Sequence, residues 1–159
     1  MKVEEKIGRI LRDRGLRLAI SESCTGGLVC HSITNVSGSS VYFEAGIIAY
    51  SNQSKVKFLN VGEDLIRTKG AVSEEVAAAM AEGIRKAMAT DIGISVTGIA
   101  GPTGGTPEKP VGLVYVGLST TDGNFVRKLL LSGTRTQIKQ KATRETLKFL
   151  LDYLQGKLM

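Results

Sequence analysis

The feature that most limits the fold of this chain is an apolar segment, residues 16–20. Small polar residues follow it at once, and a helical pattern follows them. The segment predicts a buried strand, and Leu28, Val29 and Ile33 predict the inner face of a short helix. The intervening residues 21–27 read Ser-Glu-Ser-Cys-Thr-Gly-Gly. A glycine-bearing turn that enters a helix offers unpaired backbone N–H groups and permits close approach of a ligand. The stretch therefore predicts an anion-binding or nucleophile-bearing turn.

Helices and strands alternate along the rest of the chain. The further predicted strands are residues 41–49, 92–96, 111–118 and 125–131, the last two forming a hairpin. Predicted helices begin near the first residues and after Ser51, Ser73 and Thr134, the last of them extending to Leu158. This alternation, with one antiparallel hairpin, predicts a three-layer α/β/α sandwich on a mixed, partly parallel sheet. Because no linker or repeat is visible, we expect one domain over residues 1–159.

Composition and charge narrow the class of protein. The sequence has no apolar signal core and no run that approaches the ~18 apolar residues of a membrane span. Its two cysteines, Cys24 and Cys30, match no metal or redox spacing. We therefore expect a cytoplasmic protein without a metal or a cofactor. The net charge is +6, but the cations lie opposite the apolar stripes of the terminal helices and no aromatic residues interleave with them. That pattern favours solvated helix faces over a nucleic-acid surface, so we expect neither nucleic acid nor a membrane as a partner.

Ser23 is the candidate nucleophile, since it lies on the turn between strand and helix. A serine needs a base, and the single histidine, His31, lies well over a turn further along the helix. Lys55 is the other candidate base, because burial and a helix N-terminus both lower the pKa of an ammonium group. On spacing alone, the alternative is that Lys55 is one more solvated cation. Tyr50 precedes the same helix and is placed to orient a proton, whereas Cys24 is expected to be a small buried thiol.

Two further features suit an anionic or ribose-bearing ligand. The glycine-rich stretch 97–105, which includes Thr97, Gly98 and Gly101, offers backbone N–H groups with little side-chain bulk. It matches neither a Walker loop nor a dinucleotide fingerprint, so a plain surface loop remains the alternative. Arg135 would be the first residue of a capped helix, where a guanidinium and free N–H groups can share one phosphate.

Six motifs occur in order between Ser21 and Arg135. They read Ser-Glu-Ser-Cys-Thr-Gly-Gly, Ala-Tyr-Ser-Asn-Gln-Ser-Lys, Gly-Ala-Val-Ser-Glu, Thr-Gly-Ile-Ala-Gly-Pro-Thr-Gly-Gly, Lys-Pro-Val-Gly and Ser-Gly-Thr-Arg. Together they resemble the C-terminal domain family of the competence/damage-inducible protein CinA, whose stand-alone members include nicotinamide-nucleotide amidases. The resemblance covers nearly the whole chain and implies the fold of that family.

The resemblance also implies an activity, the hydrolysis of nicotinamide mononucleotide to nicotinate mononucleotide and ammonia, a step of NAD recycling. It implies that Ser23 is the nucleophile, Lys55 its base and Tyr50 a helper in the proton relay. We expect N–H groups near Thr25, Gly26 and Gly27 to hold the oxyanion. Arg135 and the stretch 97–105 are expected to hold the phosphate and ribose.

Two other classes of function stay open on the sequence alone. One is a nucleotide-binding regulatory module that has the same pocket without turnover, and the other is a DNA-associated protein whose binding would depend strongly on salt. We expect a homo-oligomer, a dimer or higher, because the terminal helices carry enough apolar residues for two surfaces.

Overall fold

A computed structural model describes residues 1–158, which form six helices around one five-stranded sheet. The helices are α1 (Val3–Arg14), α2 (Leu28–Thr34), α3 (Asn52–Leu59), α4 (Glu63–Lys69), α5 (Glu74–Met88) and α6 (Arg135–Leu154). The strands are β1 (Leu18–Glu22), β2 (Phe43–Ile48), β3 (Ile92–Gly98), β4 (Leu113–Thr120) and β5 (Gly123–Leu130). Within this part of the chain no helix has both the length and the apolar character needed to cross a bilayer.

The sheet has the strand order β2-β1-β3-β4-β5, in which the first three strands are parallel and the last two antiparallel. Helices α1, α2 and α6 pack with the larger apolar side chains on one face. Helices α3, α4 and α5 cover the other face around a smaller apolar cluster. The predicted three-layer α/β/α sandwich on a mixed sheet is therefore confirmed.

Helix α5 packs closely on the sheet because the residues beneath it are small. Ser21, Ser95 and Gly117 are neighbours in a row across β1, β3 and β4. The hydroxyl of Ser95 donates to the carbonyl of Ala77 at 2.6 Å, and that of Ser21 donates to the carbonyl of Met80 at 3.3 Å. This close packing brings the segment before α5 against the end of β3, next to the first turn of α3.

The observed elements differ from the sequence prediction at several boundaries and in one helix. The strand expected over residues 41–49 is shorter, because Ser39–Val41 forms a 3-10 turn after Gly38, whose φ is +84°. The last helix ends at Leu154 and not at Leu158, and Gly156 follows with a positive φ of +73°. Helix α4 has no counterpart among the predicted elements, since at seven residues it is too short to show a clear apolar period.

Candidate active site

A cleft of about 210 Å³ lies at the edge of the sheet where the parallel strands β1, β2 and β3 all end. Open α/β sheets bind ligands at this edge, since the loops that follow parallel strands meet there. The start of α6 closes one side of the cleft. Its lining residues are Ser23, Cys24, Tyr50, Asn52, Lys55, Ala71, Val72, Thr97, Gly98, Ala100 and Arg135.

Ser23 and Lys55 are in contact at the base of the cleft. The Nζ atom of Lys55 lies 3.0 Å from the Oγ atom of Ser23. The same nitrogen donates to the main-chain carbonyls of Ala49 at 2.8 Å and Tyr50 at 3.0 Å. Both side chains are buried, and only 1% of Lys55 is exposed. The alternative, that Lys55 is a solvated cation, is therefore wrong, and the two groups share one site.

The fold of α3 turns Lys55 inward. Ser51 caps the helix by accepting the N–H of Ser54 at 3.0 Å, so Lys55 belongs to the first helical turn and points at the end of β1. Burial lowers the pKa of its ammonium group to about 8, because the charged form loses hydration. A neutral amine has two N–H donors for the two carbonyls and a lone pair left for the hydroxyl of Ser23. The surroundings of Lys55 thus suit an amine that accepts a proton from serine.

A buried carboxylate, Glu22, occupies the N-terminus of α2. Glu22 is the last residue of β1 and has no exposed surface. It accepts four hydrogen bonds, from the hydroxyl of Thr25 and from the main-chain N–H groups of Gly27, Val29 and Cys30. Because the positive end of the helix dipole also stabilises a negative charge there, the protein supplies its own anion at this position.

Gly26 and Gly27 therefore do not supply the oxyanion site that was expected near Thr25, Gly26 and Gly27. The N–H of Gly27 is bound to Glu22, and that of Gly26 donates to the carbonyl of Ser23 at 3.2 Å. Thr25 is fully buried, and none of the three lines the cleft. The main-chain N–H of Cys24 donates no hydrogen bond to another residue within residues 1–158, and Cys24 does line the cleft.

The alternative nucleophile and the alternative base find no support in the geometry. Burial raises the pKa of the Cys24 thiol to about 12, so the thiolate is scarce at neutral pH. His31 is exposed on α2. The hydroxyl of Ser23 bonds instead to Lys55 and, at 3.5 Å, to the carbonyl of Tyr50.

Arg135 connects two loops at the mouth of the cleft. It is the first residue of α6, which begins with the predicted capping box at Thr134. One guanidinium nitrogen donates to the carbonyl of Gly101 at 2.7 Å, and the other donates to the hydroxyl of Tyr50 at 3.2 Å. Gly101 therefore holds Arg135 and is not itself a lining residue. The Tyr50 hydroxyl contacts the guanidinium and not Ser23 or Lys55, so its part in a proton relay stays a prediction.

The predicted residues Thr97 and Gly98 end β3 and line the cleft. The hydroxyl of Thr97 donates to the carbonyl of Ala71 at 2.9 Å, which ties the segment before α5 to the site. Ala71 and its neighbour Val72 were not among the predicted site residues, although they belong to the motif Gly-Ala-Val-Ser-Glu. Asn52, the first residue of α3, was also missed, and its place between Tyr50 and Lys55 was the available signal.

The part of the chain that the structure describes contains no group of three or more His, Cys, Asp or Glu side chains that could hold a metal ion. Apart from the cysteine thiol of Cys24, the ionisable side chains that line the cleft are those of Tyr50, Lys55 and Arg135. Acidic side chains are missing from that lining, so the cleft favours an anionic ligand.

Comparison with known proteins gives a consistent family. The model of the CinA C-terminal domain matches residues 1–154. A competence-damage inducible protein of Moorella thermoacetica is 54% identical over 145 residues, which are 91% of this chain and 35% of the relative. A CinA-like protein of Kosmotoga olearia is 52% identical over 157 residues, 99% of this chain and 37% of the relative. The chain thus spans little more than a third of the length of these curated relatives.

The fold comparison agrees. The crystal structure of the competence/damage inducible protein CihA from Agrobacterium tumefaciens superposes with a TM-score of 0.90 at 36% identity. The match covers 96% of this chain and 95% of that one. The family model and the solved structure both extend over nearly all of the described residues. This chain belongs to the CinA C-terminal domain family.

Proposed function

We propose that this chain is a serine amidohydrolase that converts nicotinamide mononucleotide to nicotinate mononucleotide and ammonia. The type of reaction follows from the paired Ser23 and Lys55. The substrate follows from the resemblance to nicotinamide-nucleotide amidases and from the positively charged side chains of the cleft. The names of the relatives compared above support membership of the family and do not specify a reaction.

The contact of 3.0 Å between the buried amine of Lys55 and the hydroxyl of Ser23 carries this proposal. A serine hydroxyl is a weak nucleophile until a base removes its proton. Lys55 meets both requirements of such a base, since it is within hydrogen-bond reach and burial brings its pKa to about 8. The carbonyls of Ala49 and Tyr50 hold its two N–H groups, so the lone pair points at Ser23.

In the acylation step, neutral Lys55 takes the proton of Ser23 while the serine oxygen bonds to the carboxamide carbon. The main-chain N–H of Cys24 stabilises the oxyanion that develops, in the way the residue after the nucleophile does in other serine hydrolases. The lysine then gives its proton to the departing nitrogen, the C–N bond breaks and ammonia leaves. Water, activated by the same amine, attacks the acyl-enzyme, releases the nicotinate product and restores Ser23.

The remaining lining groups serve to bind the nucleotide. Arg135 offers a guanidinium at the mouth of the cleft, held in place by Gly101 and Tyr50. The hydroxyl of Thr97 and the backbone of Gly98 also line the cleft, where they suit a ribose. Positioning of this kind lowers the barrier because the carboxamide carbon is brought to the serine oxygen without a further loss of entropy.

The test is an ammonia-release assay with nicotinamide mononucleotide on the wild type, Ser23→Ala and Lys55→Met. We expect a loss of about 10³-fold or more in kcat for each variant, because nucleophile and base act as one unit. Ser37→Ala and Lys57→Met, which alter exposed residues, are the matched controls and are expected to keep wild-type rates.

Each other outcome has a distinct meaning. Equal ammonia release by the wild type, Ser23→Ala and Lys55→Met would falsify the assigned roles. Binding of the mononucleotide by the wild type without ammonia release would identify a non-catalytic nucleotide-binding module. Strongly salt-dependent DNA binding in place of nucleotide binding would identify a DNA-associated protein.

A further inference from the structure

Lys139 lies on α6 beside the turn that carries Ser23. It follows Arg135 by four residues on α6, so the two side chains project from the same face of the helix. Its Nζ atom is 3.6 Å from the position that a Cβ atom on Gly26 would occupy. Gly26 is exposed and has no side chain, so the surface beside the ammonium group is open.

The charge of Lys139 reaches the cleft. Burial raises the pKa of the Cys24 thiol, and the positive charges of Lys55 and Lys139 oppose that rise, so the charge of Lys139 acts on a lining residue. Lys139 is half-buried, yet within residues 1–158 its ammonium group forms no ion pair and donates no hydrogen bond. The neighbouring Lys141, in contrast, donates to the carbonyl of Ser132.

We propose that Lys139, together with Arg135, forms an anion subsite that binds the phosphate group of the nucleotide. This inference rests on the proposed function and assigns the phosphate to the α6 side of the cleft. A phosphomonoester carries close to two negative charges at neutral pH and three acceptor oxygens, so it is best held by more than one cation. An ammonium group and a guanidinium one helical turn apart supply the two charges.

The glycine-rich stretch 97–105 is the competing position for the phosphate. The one lysine near it, Lys109, is already committed, since its ammonium group donates to the carbonyl of Lys69. Glu108 adds a negative charge beside it. Arg135 reaches this stretch through the carbonyl of Gly101, but the other groups that a dianion would meet there are backbone N–H groups, whereas the α6 side adds Lys139 as a second cation. The stretch 97–105 is therefore left to the neutral ribose.

Binding of ribose 5-phosphate, which carries the phosphate and ribose but has no amide to hydrolyse, tests the subsite directly. Isothermal titration at constant ionic strength compares the wild type with Lys139→Met and with Lys148→Met. Lys148 lies on the same helix, with 58% of its side chain exposed, and is the matched control for the loss of one charge. We expect Kd to rise about 10-fold in Lys139→Met, which removes one charge-assisted contact, and to stay unchanged in Lys148→Met.

Kinetics give the second measurement. In Lys139→Met, kcat/KM for nicotinamide mononucleotide is expected to fall about 10-fold through KM, while kcat/KM for the riboside, which lacks the phosphate, is unchanged. Equal affinity of the three proteins for ribose 5-phosphate, or no binding by any of them, overturns the subsite whatever the ammonia assay shows. If Lys139→Met loses affinity for ribose 5-phosphate while the wild type and Lys148→Met keep it, the subsite is supported even if the wild type releases no ammonia. In that case only the proposed function fails.

Discussion

The carboxylate of Glu22 accepts the main-chain N–H of Cys30 at 2.9 Å, so the last residue of β1 closes the N-terminus of α2 from inside the protein. Glu22 also binds the N–H groups of Gly27 and Val29 and the hydroxyl of Thr25. These bonds hold the whole turn between β1 and α2. Ser23 therefore sits on a rigid support, which is what a nucleophile that must meet a fixed base requires.

The first prediction concerns this support. Glu22→Gln replaces an acceptor-only carboxylate by an amide whose NH2 group must face hydrogen-bond donors, so at least one buried N–H loses its acceptor. We expect the free energy of unfolding to fall by about 3 kcal/mol, the usual cost of disrupting a buried charge that is fully hydrogen-bonded. Urea denaturation measures it.

Glu74→Gln is the control for that measurement, because Glu74 is exposed in the first turn of α5. Its effect is expected to stay within about 0.5 kcal/mol. A Glu22→Gln protein as stable as the Glu74→Gln protein would show that the hydrogen bonds of Glu22 do not stabilise the turn.

Most of the fold could be predicted because its signals are local. Apolar segments of strand length gave β1 and β3, and the capping residues Ser51, Ser73 and Thr134 correctly gave the starts of three helices. The order of strands in the sheet has no such signal, since pairing depends on contacts distant in the chain. Helix α4 was missed because its short sequence has too few turns to show a period.

The site was predictable for a different reason. Ser23, Lys55 and Thr97 were each candidate site residues on the sequence, and they line one cleft because residues that follow parallel strands meet at one edge of the sheet. The error at Gly26 and Gly27 arose because a sequence shows which N–H groups a helix start leaves free but not which side chain reaches them. Glu22 precedes Ser23 in the sequence, but the direction in which the Glu22 side chain points is set by the pleat of β1.

The second prediction is a pH dependence of the rate. Since the pKa of Lys55 is about 8 and its neutral form is the base, the neutral fraction grows as pH rises through 8. We expect kcat/KM to rise about 10-fold between pH 7 and pH 9 and then to level off. Initial rates of ammonia release over pH 6–10 measure it, with circular dichroism to verify folding at each pH. A rate that is flat over this range, or that falls, is incompatible with Lys55 as the base.

The third prediction links the same lysine to stability. Burial lowers the pKa of Lys55 from 10.5 to about 8, so between these values the unfolded chain binds a proton that the folded chain does not. The buried lysine therefore lowers the free energy of unfolding of the wild type most below pH 8, and this loss becomes smaller as pH rises. The stability of Lys55→Met relative to the wild type is expected to drop by about 2–3 kcal/mol from pH 7 to pH 10.

Urea denaturation at the two pH values provides that comparison, and other titrating groups cancel in the difference between wild type and variant. Lys57→Met is the control, because Lys57 is exposed on the same helix and its difference from the wild type is expected not to change with pH. A difference for Lys55→Met that is equally constant would mean that Lys55 keeps an ordinary pKa in the folded protein.

The fourth prediction concerns the close packing of α5 on the sheet. A Cβ atom on Gly117 would lie 2.4 Å from the carbonyl oxygen of Ala77 and 2.5 Å from the hydroxyl of Ser95. Gly117→Ala must therefore displace α5, and we expect a loss of about 2 kcal/mol or more in the free energy of unfolding. Gly62→Ala, whose Cβ would meet nothing closer than 3.8 Å, is the control, and because Gly62 caps α4 its expected loss is at most about 1 kcal/mol. Similar stabilities for the two variants would mean that α5 has room to move.

The last prediction separates two roles for Tyr50. Its hydroxyl accepts a hydrogen bond from Arg135, whereas its main-chain carbonyl, which no side-chain substitution removes, contacts Lys55. Tyr50→Phe should therefore loosen the guanidinium and leave the base in place. Because 60% of Tyr50 is exposed, the lost bond is weak, and we expect KM to rise about 2- to 5-fold with kcat within about 2-fold of wild type. Arg135→Ala is expected to raise KM further, since the cation itself is lost. A fall of about 100-fold in kcat for Tyr50→Phe would instead indicate that the hydroxyl transfers a proton during the reaction.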